Sequence, residues 1–333
     1  MSQPKRVLIT DYAWPTIDIE REILTKAGAE VVVAATGEQD ELIRLAPQMD
    51  AILSNWHPMR APVIEVAGKC QIISRYGVGV DNIDVQAATK HGIVVTNVPD
   101  YCMDEVSTEA MALVLCAARR ILHYDRTVRT GAWDVKLGMP LFRIKGLTLG
   151  IIGFGRIGKA VAPKAQGLGF CVIAYDPYID QQEMNQRNVK PVDLDMLLRT
   201  SDFITIHTPL TPETHKLLGA AALRKMKPTA WLINTARGGV VDTVALAAAL
   251  REGRLAGAGL DVLPHEPPLM DDALFGLPNV IFTPHSAFYS EGSLRELQAK
   301  AAQRVVEVLE GRMPSSIVNP SVLEQANCRL SSR

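Results

Sequence analysis

The chain has 333 residues, of which 47% are hydrophobic and 21% charged, and its formal net charge is −1. That length admits two domains with separate cores, and that balance is the one of an ordinary globular protein. The charge removes the electrostatic case for nucleic acid or an anionic membrane, and the longest apolar run, Ala110–Ala118, is far too short to span a bilayer.

Taken in order, the first hundred residues alternate strand and helix patterns. Only Val7-Leu8-Ile9 follow Lys5 and Arg6, too little for a signal-peptide core. Arg6–Thr10 reads as a strand, Ile17–Lys26 as an amphipathic helix ended by Gly28, and Glu30–Ala34 as a second strand. Glu41–Ala46 reads as helix, Ala51–Ser54 as strand, Ala61–Ala67 as helix and Gln71–Ser74 as strand. Val85–Lys90 and Ile93–Thr96 close the segment as helix and strand. This rhythm predicts a parallel sheet covered by helices. Between the last two pairs, Arg75–Asp81 contains Gly77 and Gly79 but no third glycine before a helix. It is either a plain strand-end turn or a nest of N–H groups for a small anion.

Met103–Leu122 is predicted as one long helix with two apolar stripes, Val106, Ala110, Leu113, Val114, Ala117 and Ile121 on one, Met111, Leu115, Ala118 and Leu122 on the other. A helix apolar on two faces is buried on two faces, inside its own domain or against a second subunit. Next, Leu147–Ile152 runs into Gly153-Phe154-Gly155-Arg156-Ile157-Gly158 and a helical pattern from Lys159. Strand, glycine turn and helix form the context in which G-x-G-x-x-G means dinucleotide binding: a tight turn at Gly153, close approach to a pyrophosphate at Gly155, helix–strand packing at Gly158. The strand Cys171–Tyr175 ends in Asp176, placed to accept a ribose hydroxyl, and a carboxylate there favours NAD over NADP.

Further units follow: Asp193–Arg199 and Ala220–Lys225 as helices, Phe203–Ile206 and Ala230–Asn234 as strands, helix Thr243–Glu252, strands Ala256–Leu260 and Val280–Phe282, and a last helix Glu291–Glu310. From about Glu324 the chain is expected to fray. The later strands end at His207, Thr235, Asp261 and Thr283. Ligands of an open parallel sheet bind outside the carboxyl ends of its strands, so these residues gather beside the glycine turn. Arg237, Glu266 and His285 stand in the same strand-end segments. A glutamate beside a histidine makes an acid–base device, and an arginine grips a carboxylate. Singly each has a bland alternative, a surface ion-pair partner, a solvated carboxylate and a capped strand end; their shared placement favours chemistry. The histidines show no metal-ligand spacing. The five cysteines form no C-x-x-C and mostly stand in apolar segments as buried free thiols do, which suits a reducing cytoplasm.

These residues carry a resemblance. The loop RYGVGVDNID (Arg75–Asp84), Asn97-Val98-Pro99, GFGRIG, NTARGGVVD, GLDV and TPH together make the chain resemble the D-isomer-specific 2-hydroxyacid dehydrogenases over nearly its full length. Arg75, Asp104-Glu105 and the run His285–Glu291 look closest to the branch of C-terminal-binding-protein-like dehydrogenases. The resemblance implies two doubly wound α/β domains. Residues 1–101 plus 290–333 would form a discontinuous flavodoxin-like substrate domain, and 102–289 a Rossmann NAD-binding domain, with the active site in the cleft and a homodimer through the coenzyme domain. It implies a carboxylate-binding Arg237, an acid–base His285 and a Glu266 that supports it. Gly153, Gly155, Arg156, Ile157, Gly158, Asp176, Thr208, Pro209, Thr235, Ala236 and Asp261 would line the coenzyme, and Arg75, Val78, Gly79 and Phe288 the substrate. That branch often has Trp where Phe288 stands and Tyr where Ser54 stands, so its substrates do not transfer. The expected reaction is hydride transfer between NAD and C2 of a small 2-hydroxy or 2-oxo acid. The alternatives are an NAD(H)-sensing or corepressor-like binding protein on the same fold, and a phosphoglycerate-type dehydrogenase.

Overall fold

A computed structural model describes residues 3–269 and 271–330, and the chain divides into two compact units, Met1–Cys102 with Ser290–Arg333, and Met103–Tyr289. In chain order the first hundred residues give β1 (Lys5–Ile9), α1 (Asp18–Lys26), β2 (Ala29–Val33), α2 (Gln39–Leu45), β3 (Ala51–Ser54), α3 (Ala61–Val66), β4 (Ile72–Arg75), α4 (Val85–Lys90) and β5 (Val94–Thr96). The five strands pair in parallel in the order β2-β1-β3-β4-β5, the flavodoxin-like winding. β3 and β5 are buried along their whole length, which is why they read as unbroken apolar runs. One face packs Leu8, Ile52, Ile73 and Val95 against Leu42, Val63, Ile64 and Ala88 of the helices.

The second unit holds α5 (Met103–Ala118), α6 (Ile121–Arg129), β6 (Thr148–Ile152), α7 (Arg156–Gly167), β7 (Cys171–Tyr175), α8 (Gln181–Gln186), β8 (Lys190–Pro191), α9 (Leu194–Thr200), β9 (Phe203–Ile206), α10 (Ala220–Leu223), β10 (Trp231–Asn234), α11 (Thr243–Arg251), β11 (Gly257–Leu260) and β12 (Val280–Phe282). All seven strands are parallel, in the order β12-β11-β10-β9-β6-β7-β8. The chain winds outward from β6 to β8, then returns to β9 on the other side of β6. That reversal opens the crevice of a Rossmann sheet at the end of β6. The last helix, α12 (Glu291–Leu309), returns to the first unit, packing on α1, β3 and β4 behind a capping box of Ser290 and Ser293.

Three expectations need correction, and two short elements went unread. Met103–Leu122 is two helices: Arg120 sits at φ 51°, its N–H bonded to Ala117 O, and α6 restarts at Ile121. A left-handed cap normally advertises itself with glycine, and here an arginine takes the position. The short α8 and β8 carried too little periodicity to be read at all. The stretch after Glu324 is tied down rather than frayed. Arg329 donates from its backbone N–H to Gly92 O at 2.9 Å and from Nη1 to Ala67 O and Cys70 O, and Asn327 Nδ2 donates to Lys90 O. Residues 331–333 lie outside the described ones. Finally, Cys70 and Cys102 are buried, but Cys116 and Cys328 are only partly so and Cys171 is exposed.

Candidate active site

The glycine turn follows β6, and each glycine meets a different constraint. Gly153 has φ 88°, and a Cβ there would lie 2.7 Å from the carbonyl carbon of His207 and 2.8 Å from the nitrogen of Thr208. No side chain fits, because the end of β9 passes directly alongside. A Cβ on Gly158 would lie 2.3 Å from Gly153 O, so helix α7 can approach its own strand only as glycine. Gly155 is the opposite case: a Cβ there meets nothing within 4 Å. The position is open to a ligand approaching the backbone.

The first intrahelical bond of α7 runs from Lys159 N–H to Gly155 O. The N–H groups of Arg156 and Ile157 have no acceptor among the described residues, leaving a positive helix end above the open glycine. Asp176, at the end of β7, accepts from Phe154 N–H at 2.8 Å and Tyr178 N–H at 2.9 Å. Its carboxylate is thereby fixed against the turn. On the other side, burial pushes the His207 imidazole down to about 3, so the ring is neutral and its Nε2 bonds Thr205 Oγ1 at 2.9 Å. Thr208 and Pro209 continue this strand end. Thr235 is buried at the end of β10, and its Oγ1 has no hydrogen-bond partner among the described residues. Open glycine, free helical N–H groups, fixed carboxylate and orphaned hydroxyl fit a dinucleotide.

The residues with chemistry occupy the next three strand ends of the same sheet. After β10, the Asn234 side chain builds the turn: Oδ1 accepts from Ala236 N–H at 3.0 Å and Nδ2 donates to Arg237 O at 2.9 Å. Arg237 Nη1 donates to Ala236 O at 2.8 Å. A Cβ on Gly238 would lie 2.0 Å from the carbonyl carbon of Leu263, so the Arg237 turn lies directly on the loop that carries Glu266. Glu266 Oε1 accepts from Leu263 N–H at 2.9 Å, and its Oε2 is 2.5 Å from His285 Nδ1. Burial pushes the Glu266 carboxyl up. The His285 hydrogen bond, the imidazolium charge, the Leu263 N–H and the Arg237 charge more than offset this, holding it below the ordinary value. The ionised glutamate therefore accepts a hydrogen bond from Nδ1–H, which leaves Nε2 of the ring for chemistry.

His285 itself has φ 52°. Asp261, buried after β11, holds its loop: the backbone O accepts from His285 N–H at 2.8 Å, Oδ1 from Thr283 Oγ1 at 2.6 Å and Ser286 N–H at 2.9 Å, and Oδ2 from Ala287 N–H at 3.1 Å. Phe288 presents its ring edge-on to the imidazole, centroids 6.2 Å apart. Asn234, Gly238 and the loop-holding use of Asp261 escaped sequence reasoning. An asparagine ahead of a turn and a Gly-Gly pair were the available signals.

In the first unit, Arg75, Val78 and Gly79 stand at the carboxyl end of β4. Val98 N–H donates to Gly77 O at 2.9 Å and Asn97 Nδ2 to Val78 O at 2.7 Å. In a trans peptide the N–H points opposite to the C=O. The N–H groups of Val78 and Gly79 therefore turn away from Asn97-Val98, and neither has an acceptor among the described residues. This is the geometry of an anion nest rather than a plain turn. Asp11, also unforeseen, accepts from the N–H groups of Asn55, Trp56 and His57 and so fixes the chain after β3.

Comparison with known proteins meets this geometry from outside. The NAD binding domain of D-isomer specific 2-hydroxyacid dehydrogenases matches residues 111–287. A glyoxylate reductase of Korarchaeum cryptofilum is 42% identical over 287 residues, covering 85% of this chain and 86% of the relative. A D-3-phosphoglycerate dehydrogenase of Archaeoglobus fulgidus is also 42% identical, but its match covers 90% of this chain and only 57% of the relative's own length. Among solved structures, a D-lactate dehydrogenase of Aquifex aeolicus complexed with NAD and lactic acid superposes with a TM-score of 0.85 at 27% identity, covering 94% of this chain and 99% of the other. The coenzyme that the glycine turn fits is NAD, and the chain belongs to the D-isomer specific 2-hydroxyacid dehydrogenase family.

Proposed function

We propose that the protein reduces a small 2-oxo acid to its D-2-hydroxy acid, and runs the reverse oxidation, with His285, Glu266 and Arg237 as the reacting side chains. The observation that carries the reading is the His285–Glu266 contact of 2.5 Å, on a loop that the Arg237 turn touches at Gly238, in the sheet that also carries the glycine turn. Gly153, Gly155 and Gly158, the amides of Arg156 and Ile157, and Asp176, Thr208, Pro209, Thr235, Ala236 and Asp261 would hold NAD, which when bound supplies or takes up the hydride at C2. Arg237 orients the acid and draws charge toward the carbonyl oxygen as it becomes an alkoxide. Protonated His285 gives its Nε2 proton to that oxygen. Glu266 stays ionised, accepts the hydrogen bond from Nδ1–H and so fixes the tautomer. In oxidation neutral His285 takes the hydroxyl proton. Val78 and Gly79, with two N–H groups turned the same way, and Arg75 would take the carboxylate, and Phe288 would border the C3 side.

The fold suits a homodimer through the second unit, supported by the apolar side chains that α6 and the segment after it leave exposed. Five free cysteines, none in a disulfide among the described residues, suit the cytoplasm. No helix among the described residues is long and apolar enough to cross a membrane.

The test is NADH oxidation with glyoxylate, pyruvate and 3-phosphohydroxypyruvate, followed by chirality of the product for the latter two. Turnover of at least one acid is expected, to the D-alcohol where the product is chiral. Silence across the panel with tight NADH binding would sink the reading in favour of a nucleotide sensor.

A further inference from the structure

The loop that presents Val78 and Gly79 is anchored from below by a buried polar chain. Tyr76, between Arg75 and Gly77, is 1% exposed and packs edge-on against Trp14, centroids 4.8 Å apart. Its hydroxyl donates to Glu20 Oε1 at 3.1 Å. Glu20, on α1, has no exposed surface, and its Oε2 accepts from Gln298 Nε2 of α12 at 2.8 Å. Gln298 Nε2 also donates to Thr16 O at 3.0 Å. Three polar side chains thus meet where an apolar core would serve stability at least as well, since a hydrogen bond contributes only about 1 kcal/mol net and its unpaired partners cost more.

What such a chain adds is direction. Tyr76 is the residue at which the backbone leaves β4, and its N–H is bonded to Ser54 O at 2.9 Å. The next residue, Gly77, lies at φ 145° under the Arg75 guanidinium, where a Cβ would be 2.6 Å from Nη1. Moving the tyrosine ring therefore tilts the two peptide planes that follow.

We propose that Tyr76, Glu20 and Gln298 are positioning residues: their hydrogen-bonded chain holds the Arg75–Gly79 loop in the conformation that takes the carboxylate of the substrate. The inference rests on the assignment of this loop to the substrate acid. None of the three side chains touches reacting atoms, so their loss changes capture of the acid and leaves the proton transfer intact.

The test uses Tyr76→Phe, which deletes the hydroxyl and keeps the ring against Trp14, and Gln298→Met, which keeps length and drops the donor. In each, KM for the 2-oxo acid is expected to rise about fivefold to tenfold, the range of one lost hydrogen bond. kcat should change less than twofold and KM for NADH not at all. Hydrogen–deuterium exchange should quicken in residues 75–82 and not in the glycine turn of the second unit. Unchanged KM for the acid, or an equal loss in kcat and in both KM values, overturns the proposal. If the unsubstituted protein reduces none of the acids, the functional reading fails, and the exchange measurement still decides the anchoring: equal exchange in wild type and Tyr76→Phe refutes it.

Discussion

His285 occupies a backbone conformation that costs a side-chain-bearing residue about 1–2 kcal/mol, and Asp261 supplies the bonds that keep it there. Such strain is tolerated where the surroundings over-determine it. His285→Ala should lower kcat by about 10²–10⁴ while leaving NADH affinity within twofold, measured by steady-state rates and fluorescence titration. A turnover equal to wild type would remove the histidine from the mechanism. Glu266→Gln separates charge from shape. The amide no longer holds Nδ1 as a donor alone, so the ring tautomer is not fixed and reductive kcat should fall at least about tenfold with KM for NADH unchanged. A kcat equal to wild type would leave Glu266 a purely structural partner. Both residues were visible in the sequence as polar side chains after strands. Asp261 reads in the sequence as a coenzyme contact; its carboxylate also accepts three bonds from the His285 loop, a use that depends on side-chain direction and not on spacing.

Strands and most helices were legible because burial on two faces leaves unbroken apolar runs and helices carry their own stops. Ala51–Ser54, Val85–Lys90, Phe203–Ile206 and Val280–Phe282 emerge with the predicted bounds. The break at Arg120 was illegible because neither glycine nor proline marks it. Close approaches between elements were equally hidden. Gly238 shows the consequence: Gly238→Ala puts a methyl into the Leu263–Pro264 backbone, which has no flexible end to yield. Stability should fall by about 1–3 kcal/mol. kcat/KM should fall at least tenfold, since the Arg237 and Glu266 loops must part. Calorimetry with kinetics checks both, and an unchanged kcat/KM would show that the contact does not position the site. In the first unit, the turn Ala35–Gly37 before α2 wraps the Glu41 carboxylate, which accepts from Thr36 Oγ1 and from the N–H groups of Ala35, Thr36 and Gly37. Led by the Thr36 hydroxyl, these bonds lower the Glu41 carboxyl to about 2. A folded value below the unfolded one contributes stability above about 4.5 that is lost as pH falls through the folded value. Glu41→Gln should therefore melt below wild type at neutral pH, with the gap closing toward pH 2. A gap constant across that range would refute the carboxylate's role.

At the scale of the molecule, the two-faced helix expected to mark a subunit contact satisfies most of itself. α5 buries Ala110, Met111, Leu113, Val114 and Ala117 within its own unit, packing on α7, β10 and β11. The unsatisfied surface begins after the break. Ile121 and Val128 on α6 are exposed, and Trp133, Val135, Met139 and Phe142 beyond it are exposed by 89, 72, 66 and 51%. This segment is held in place: Tyr124 Oη donates to Val135 O at 2.7 Å, His123 Nε2 is 2.8 Å from Leu137 O, and Gly138 lies so close to the Tyr124 ring that a Cβ would be 2.0 Å from its oxygen. An ordered backbone that offers large apolar side chains to water supports the proposed homodimer. A twofold axis would let the same patch meet itself. Sedimentation should therefore give a dimer, and Trp133→Asp with Val135→Asp should give monomers that still bind NADH, because the glycine turn and Asp176 lie elsewhere on the unit. A protein that sediments as a monomer before any substitution, or a doubly charged variant that remains dimeric, would show that these side chains do not make the contact.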